Sequence, residues 1–263
     1  MFAQLKADLK SDPRAVRAVR SLYPALNWLR GRKQYYLRAA PWLADAYFDD
    51  LRFSNRGNEP EAHLKRTASL IDLRASDVLV LGCGDGEELR LWEQQRPRSL
   101  AGVDFFASPL GWTKRDADTA AMDVTALAFA DNSFDLVAST ALLEHVRDLD
   151  ACVSEMARVA RPGGIVFANF GPLWPSYGGA HYLGAYEHLR MTAAQFAAYI
   201  EARVIAYEHG EALHWLRHDM FSRATYDEYL AAFRRYFHLE HITLAVSPDA
   251  LRYKRQHRES WAA

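Results

Sequence analysis

Four consecutive apolar residues, Val78-Leu79-Val80-Leu81, run directly into Gly82-Cys83-Gly84-Asp85-Gly86 and then into a helical stretch over 87–95. An unbroken apolar run of this length reads as a strand covered on both faces, and such strands belong to parallel sheets flanked by helices. The middle of the chain repeats the theme. Short apolar runs at 99–103, 117–122, 134–138 and 165–168 are bounded by Gly, Pro and Asp and alternate with helical patterns. A helix over 148–160 turns Leu149, Val153, Met156 and Val159 inward, and Arg161-Pro162-Gly163-Gly164 ends it because proline and glycine do not continue a helix. This is the pattern of βαβ units.

The flanks differ from the middle. Residues 1–61 carry helical periodicity and no strand signature, opening with Ser11-Asp12-Pro13 as a helix start. Residues 1–40 hold nine Lys and Arg against Asp8 and Asp12, a net of +7. That reads as a solvated helix face or as a dock for an anionic substrate, carrier or membrane surface. Residues 54–60 read as a linker. Residues 171–222 fit no strand–helix alternation and are rich in glycine, aromatics and histidine, as expected of a lid inserted after the fifth strand. A helix over 226–236 and a strand over 238–246 then complete the core within 223–263, so the core proper spans 62–170. The chain's 32 Lys and Arg nearly cancel its 33 Asp and Glu, which argues against a general attraction to nucleic acid. With two cysteines, Cys83 and Cys152, and no apolar run near the ~20 residues of a membrane span, the chain reads as cytoplasmic.

The glycine turn carries the chemistry. Glycines at alternate positions allow a tight turn and close approach of a ligand to the backbone, and the following helix offers free amides. Asp104, eighteen residues past Gly86, falls at the end of the second strand, where an acid accepts both hydroxyls of a ribose. Together they predict a cofactor containing adenosine. The spacing G-x-G-x-G, with Glu87 where a third glycine would fall, disfavours NAD.

The stretch 82–86 resembles the first motif of class I S-adenosylmethionine-dependent methyltransferases. Met122-Asp123-Val124-Thr125, Leu142-Leu143-Glu144-His145-Val146 and the run from Glu155 to Gly164 resemble later motifs of the small-molecule, type 11 branch. The resemblance covers roughly 62–170. It implies a doubly wound, Rossmann-like α/β fold with a mostly parallel sheet of the seven-stranded type, a helical amino-terminal cap and the lid already described. It makes Gly82, Cys83, Gly84 and Gly86 the cradle for the amino-acid part of S-adenosyl-L-methionine. Asp104 would hold the ribose with Phe105 beside the adenine, Asp123 and Val124 would meet the adenine, and Ser139 would lie near the methionine portion. One departure stands out: the family places an acid two residues before the first glycine, and this chain has Val80. Weaker binding, compensation by Asp85 and a degenerate site all stay open.

Methyl transfer needs alignment for in-line displacement, and a hydroxyl acceptor also needs a base. His181, in the lid, is the first candidate base, followed by His145 and His188. His214 and His218 lie one helical turn apart but lack a third ligand at diagnostic spacing, so no metal site is expected. Trp174, Tyr177, Tyr182, Tyr186 and Trp215 either line an acceptor pocket or close the lid's own core. The expected activity is methylation of a small molecule, at oxygen, in a biosynthetic pathway, with S-adenosyl-L-homocysteine as product. The alternatives are a catalytically silent scaffold, raised by Val80, and a nucleic-acid methyltransferase, disfavoured because Ser139-Thr140-Ala141-Leu142 stands where an Asn/Asp-Pro-Pro-aromatic motif would be. Self-association into a homo-oligomer stays open.

Overall fold

The computed structural model describes residues 60–84, 86, 88–106, 118–181, 186–202, 208–244, 250–251, 253 and 255. The expected cap, and Asp85 and Tyr182, lie outside them. The described strands are β1 (Asp77–Leu81), β2 (Ser99–Asp104), β3 (Asp118–Ala121), β4 (Phe134–Thr140) and β5 (Ala160–Asn169). The helices are α1 (Pro60–Ala68), α2 (Leu89–Glu93), α3 (Leu149–Val159), α4 (Glu187–Arg190), α5 (Ala193–Glu201), α6 (Glu208–Arg217) and α7 (Tyr226–Tyr236). No helix among the described residues is long and apolar enough to cross a membrane.

All five strands pair in parallel in the order β3-β2-β1-β4-β5. The sheet grows outward from β1 in one direction through β2 and β3, then in the other through β4 and β5. The strand order therefore switches between β1 and β4, the place where open α/β sheets carry a ligand crevice at the carboxyl ends.

Alternate residues of each strand feed two separate cores. Leu79, Leu81, Val103 and Val137 pack with Leu149, Val153 and Met156 of α3 and with Tyr229 of α7. Val78, Val80, Leu136 and Ala138 pack with Leu64 of α1 and Leu89 and Trp92 of α2. Val78 through Leu81 are wholly buried, each contributing roughly 1.5–3 kcal/mol through burial. Helices thus cover both faces, the Rossmann-like arrangement.

Local chemistry sets the helix starts. Asp148 accepts the Ala151 N–H at 3.0 Å and so caps α3. Thr225 and Glu228 form a reciprocal capping box on α7. At the amino-terminal ends of the strands, Arg98 and Arg161 each bridge Asp77 and Asp135. This drives the Asp77 carboxyl far below the usual range and lowers that of Asp135 despite its desolvation.

Two expectations need correction. Residues 238–244 form no strand: Ile242 and Leu244 are 46% and 63% exposed, so the alternation in this segment finds no face to bury against. The last strand begins at Ala160 rather than 165, because Pro162-Gly163-Gly164 is absorbed as a register irregularity against β4.

The chain divides into two compact units. One comprises Gly57–Pro175 and Met220–Ala245 and holds the sheet. The other includes Ser176–Asp219, with α4 to α6. Within the second unit Thr192 and Gln195 form a capping box at the start of α5, Phe196 and Ile200 are buried, and Tyr177, Tyr186 and Tyr253 pack edge to face at 5.4–6.0 Å between ring centroids.

Candidate active site

The glycine turn caps the carboxyl end of β1. Gly82, Gly84 and Gly86 all have positive φ, at 72°, 56° and 86°. The Gly82 and Cys83 amides donate to the Val103 carbonyl at 2.8 and 3.0 Å, tying the turn to β2. A Cβ on Gly82 would lie 2.9 Å from Leu142 Cβ, so space as well as conformation requires glycine there. At Gly84 a Cβ would meet nothing within 4 Å among the described residues, which leaves room beside the backbone. Cys83 is buried and presents no reactive thiol surface.

Asp104 ends β2 beside this turn. Its Oδ2 accepts the Gly84 N–H at 2.9 Å and its Oδ1 accepts the Phe106 N–H at 3.2 Å. Each oxygen keeps a lone pair, so two hydroxyls can still be accepted. Phe105 is 53% exposed, an uncovered aromatic surface next to that carboxylate. Past β3, Asp123 Oδ1 accepts both the N–H and the hydroxyl of Thr125, at 2.9 and 2.7 Å, which leaves Oδ2 for an amine. Val124 is buried beside it. The following loop is clamped by Arg158 of α3, which donates to the Leu127 and Phe129 carbonyls and pairs with Asp131 and Glu155.

Ser139 lies within β4 rather than past its end. It is fully buried, and its Oγ has no partner among the described residues; the same holds for Oε2 of Glu144 and Oδ1 of Asn169. A buried polar atom without a partner costs about 1–3 kcal/mol, and here such atoms cluster at the carboxyl ends of β4 and β5. Together with the open room at Gly84 and the spare acceptor sites on Asp104 and Asp123, these atoms fit a polar nucleoside ligand with an amino-acid arm.

The candidate bases fall in different units. His145 follows β4 in a short 3-10 turn over Leu143–His145. Its Nδ1 lies 3.1 Å from the Met220 carbonyl, which can only accept, so Nδ1 holds the proton and Nε2 the lone pair of the neutral ring. His181 and His188 belong to the second unit. His181 is buried in a left-handed conformation with φ 55°, and His188 is buried with its ring 6.0 Å from Phe196. Trp174 and Tyr177 also separate, with Trp174 in the sheet unit beneath the Arg223 guanidinium at 3.4 Å.

Two carboxyl groups escaped the sequence reading. Glu144 is 1% exposed, its Oε1 accepts the Gly171 N–H at 3.0 Å, and burial pushes its pKa up to about 8. Glu88 stands at the start of α2, its Oε1 accepting from Thr140 Oγ1 and Trp92 Nε1 at 3.2 and 3.3 Å. Burial raises its pKa too. Glu144 falls inside the motif-like stretch 142–146, but nothing in that stretch tells that its carboxyl is buried, and Glu88 is one acid among many.

Residues 79–168 match the family described as "Methyltransferase domain". This segment is thus similar to class I S-adenosylmethionine-dependent methyltransferases of the type 11 branch. Among curated proteins, a phosphatidylethanolamine N-methyltransferase of Cereibacter sphaeroides is 32% identical, with 43% of this chain and 60% of the relative covered. A demethylmenaquinone methyltransferase of Corynebacterium glutamicum is 32% identical, over 54% of this chain and 62% of the relative. The chain thus spans less than two thirds of the length of each. Among solved structures, Haemonchus contortus phosphoethanolamine N-methyltransferase 2, in complex with S-adenosyl-L-methionine, is 16% identical, covering 86% of this chain and 50% of that one with a TM-score of 0.48.

Proposed function

We propose that this chain is an S-adenosylmethionine-dependent methyltransferase that transfers a methyl group to a small-molecule acceptor, at a hydroxyl oxygen, in a biosynthetic pathway. The observation that carries the reading is the coupling of the open glycine turn to Asp104 through the Gly84 N–H, at the switch point of the sheet. Cys83 and the glycines would cradle the amino-acid arm, Asp104 and Phe105 would hold the ribose and adenine, and Asp123 and Val124 would complete the adenine site. Ser139, buried with an unused hydroxyl, would face the methionine portion.

When bound, the cofactor supplies a methyl group already activated on a sulfonium. The chain's own task is alignment, exclusion of water and removal of the acceptor's proton. His145 is supported as that base by its place just past β4, with Nδ1 held 3.1 Å from the Met220 carbonyl. His181 and His188, in the second unit, are the alternative bases. The curated relatives are named for transfer to nitrogen, to carbon and to oxygen, so the preference for oxygen rests on the histidines alone.

Calorimetric titration with S-adenosylmethionine, S-adenosylhomocysteine and NAD tests the cofactor. Binding of the first two and none of NAD is expected; NAD binding, or none at all, refutes the reading. Methyl transfer to hydroxylated quinones against ethanolamine lipids then tests the acceptor atom, and transfer to the amine alone would overturn the oxygen assignment.

A further inference from the structure

The acid that the family carries two residues before the first glycine is absent, and Val80 lies wholly buried among Leu89, Trp92 and Ala138. Yet the crevice above it is not apolar. In the β1–β4 register Val80 pairs with Ala138 and Leu81 with Ser139. Val78 and Val80 of β1 and Leu136 and Ala138 of β4 share the face covered by α2, and Thr140 follows on that side of β4. Thr140 therefore stands one pleat beyond the Val80 level, roughly 6.6 Å along the strands. There its hydroxyl donates to Glu88 Oε1, which descends from the helix instead of rising from the strand.

We propose that Glu88 is the anionic partner of a ligand ammonium at the glycine turn, filling from α2 the role that Val80 cannot fill from β1. This rests on the cofactor reading above, in which the ammonium is that of the amino-acid arm. Three features make Glu88 suited to it. Thr140 and Trp92 both bind Oε1 and fix the carboxylate, whereas Oε2 is neither sealed from solvent nor taken by a described donor. No cation pairs with Glu88 among the described residues. Its half-buried setting penalises the bare charge, so an arriving ammonium relieves a standing cost.

Two ligands separate the arm from the nucleoside: S-adenosylhomocysteine carries the ammonium, and 5′-methylthioadenosine lacks the amino-acid portion. Glu88→Gln is expected to weaken S-adenosylhomocysteine at least tenfold by calorimetry while leaving methylthioadenosine within twofold. Thr140→Val, which frees the carboxylate without removing it, should weaken S-adenosylhomocysteine about threefold with the same selectivity. It serves as the test should Glu88→Gln not fold. Unchanged S-adenosylhomocysteine affinity in these variants, or equal loss of both ligands, overturns the assignment. So does a selective loss in Asp85→Asn that Glu88→Gln does not show. If the unaltered chain binds neither ligand, the cofactor reading itself fails and the role of Glu88 falls with it.

Discussion

Glu144 offers a direct test of the buried crevice, because a carboxyl held neutral there leaves a mark on stability. Its folded pKa of about 8 stands well above the ordinary 4.5, and burial is the leading cause. Between those values the folded chain keeps a proton that the unfolded chain has released. Since ∂ΔG_unfold/∂pH follows the difference in protons bound between the unfolded and folded states, Glu144 makes stability fall as pH rises from about 4.5 to about 8. Below that window its contribution is flat. From about pH 5.5 to about pH 7.5 the loss is on the order of 2.5 kcal/mol, close to two pH units at 1.36 kcal/mol each. Glu144→Gln removes the titration while its amide oxygen can still accept the Gly171 N–H. Urea denaturation of both proteins across this range should show the unaltered chain losing stability relative to Glu144→Gln as pH rises. A stability difference that is constant with pH would show that Glu144 is ionised in the folded state and that the crevice is wetter than its burial indicates.

Asp104→Ala should weaken S-adenosylmethionine binding more than tenfold, because the carboxylate proposed to accept the ribose hydroxyls is lost; unchanged affinity by calorimetry would misplace the site. Gly84→Ala should cost about 1–2 kcal/mol of stability through its positive φ yet sharply reduce ligand binding, since the added methyl projects into open room. Equal ligand affinity in that variant would mean that nothing approaches the turn. Arg158→Met should destabilise the chain by about 2 kcal/mol through loss of the clamp on the loop after Asp123, measured by thermal melting, with adenine-dependent affinity reduced alongside.

The nucleoside half of the candidate site was legible in the sequence because its parts are backbone requirements or strand ends. Gly82 to Gly86 advertise positive φ directly, and Asp104 sits at a fixed position after a recognisable strand. The helix over 226–236 was equally plain, since its amphipathic period is local and Thr225 caps it. The expected strand over 238–246 failed for the complementary reason. Its alternation is a necessary sign of a strand, but pairing needs a neighbouring edge that a local pattern does not specify.

What the sequence by itself determined was therefore the class of fold and the glycine turn with an acid at the end of β2, both written in local periodicity and glycine placement. Only the tertiary structure showed which further acids are buried near the carboxyl ends of the strands. Glu88 and Glu144 are separated in sequence by the whole of β2, β3 and β4, yet one reaches Thr140 and the other Gly171. Their altered proton affinities come from what is packed around them, and the burial of a side chain is a property of the assembled sheet and helices that no stretch of residues carries alone.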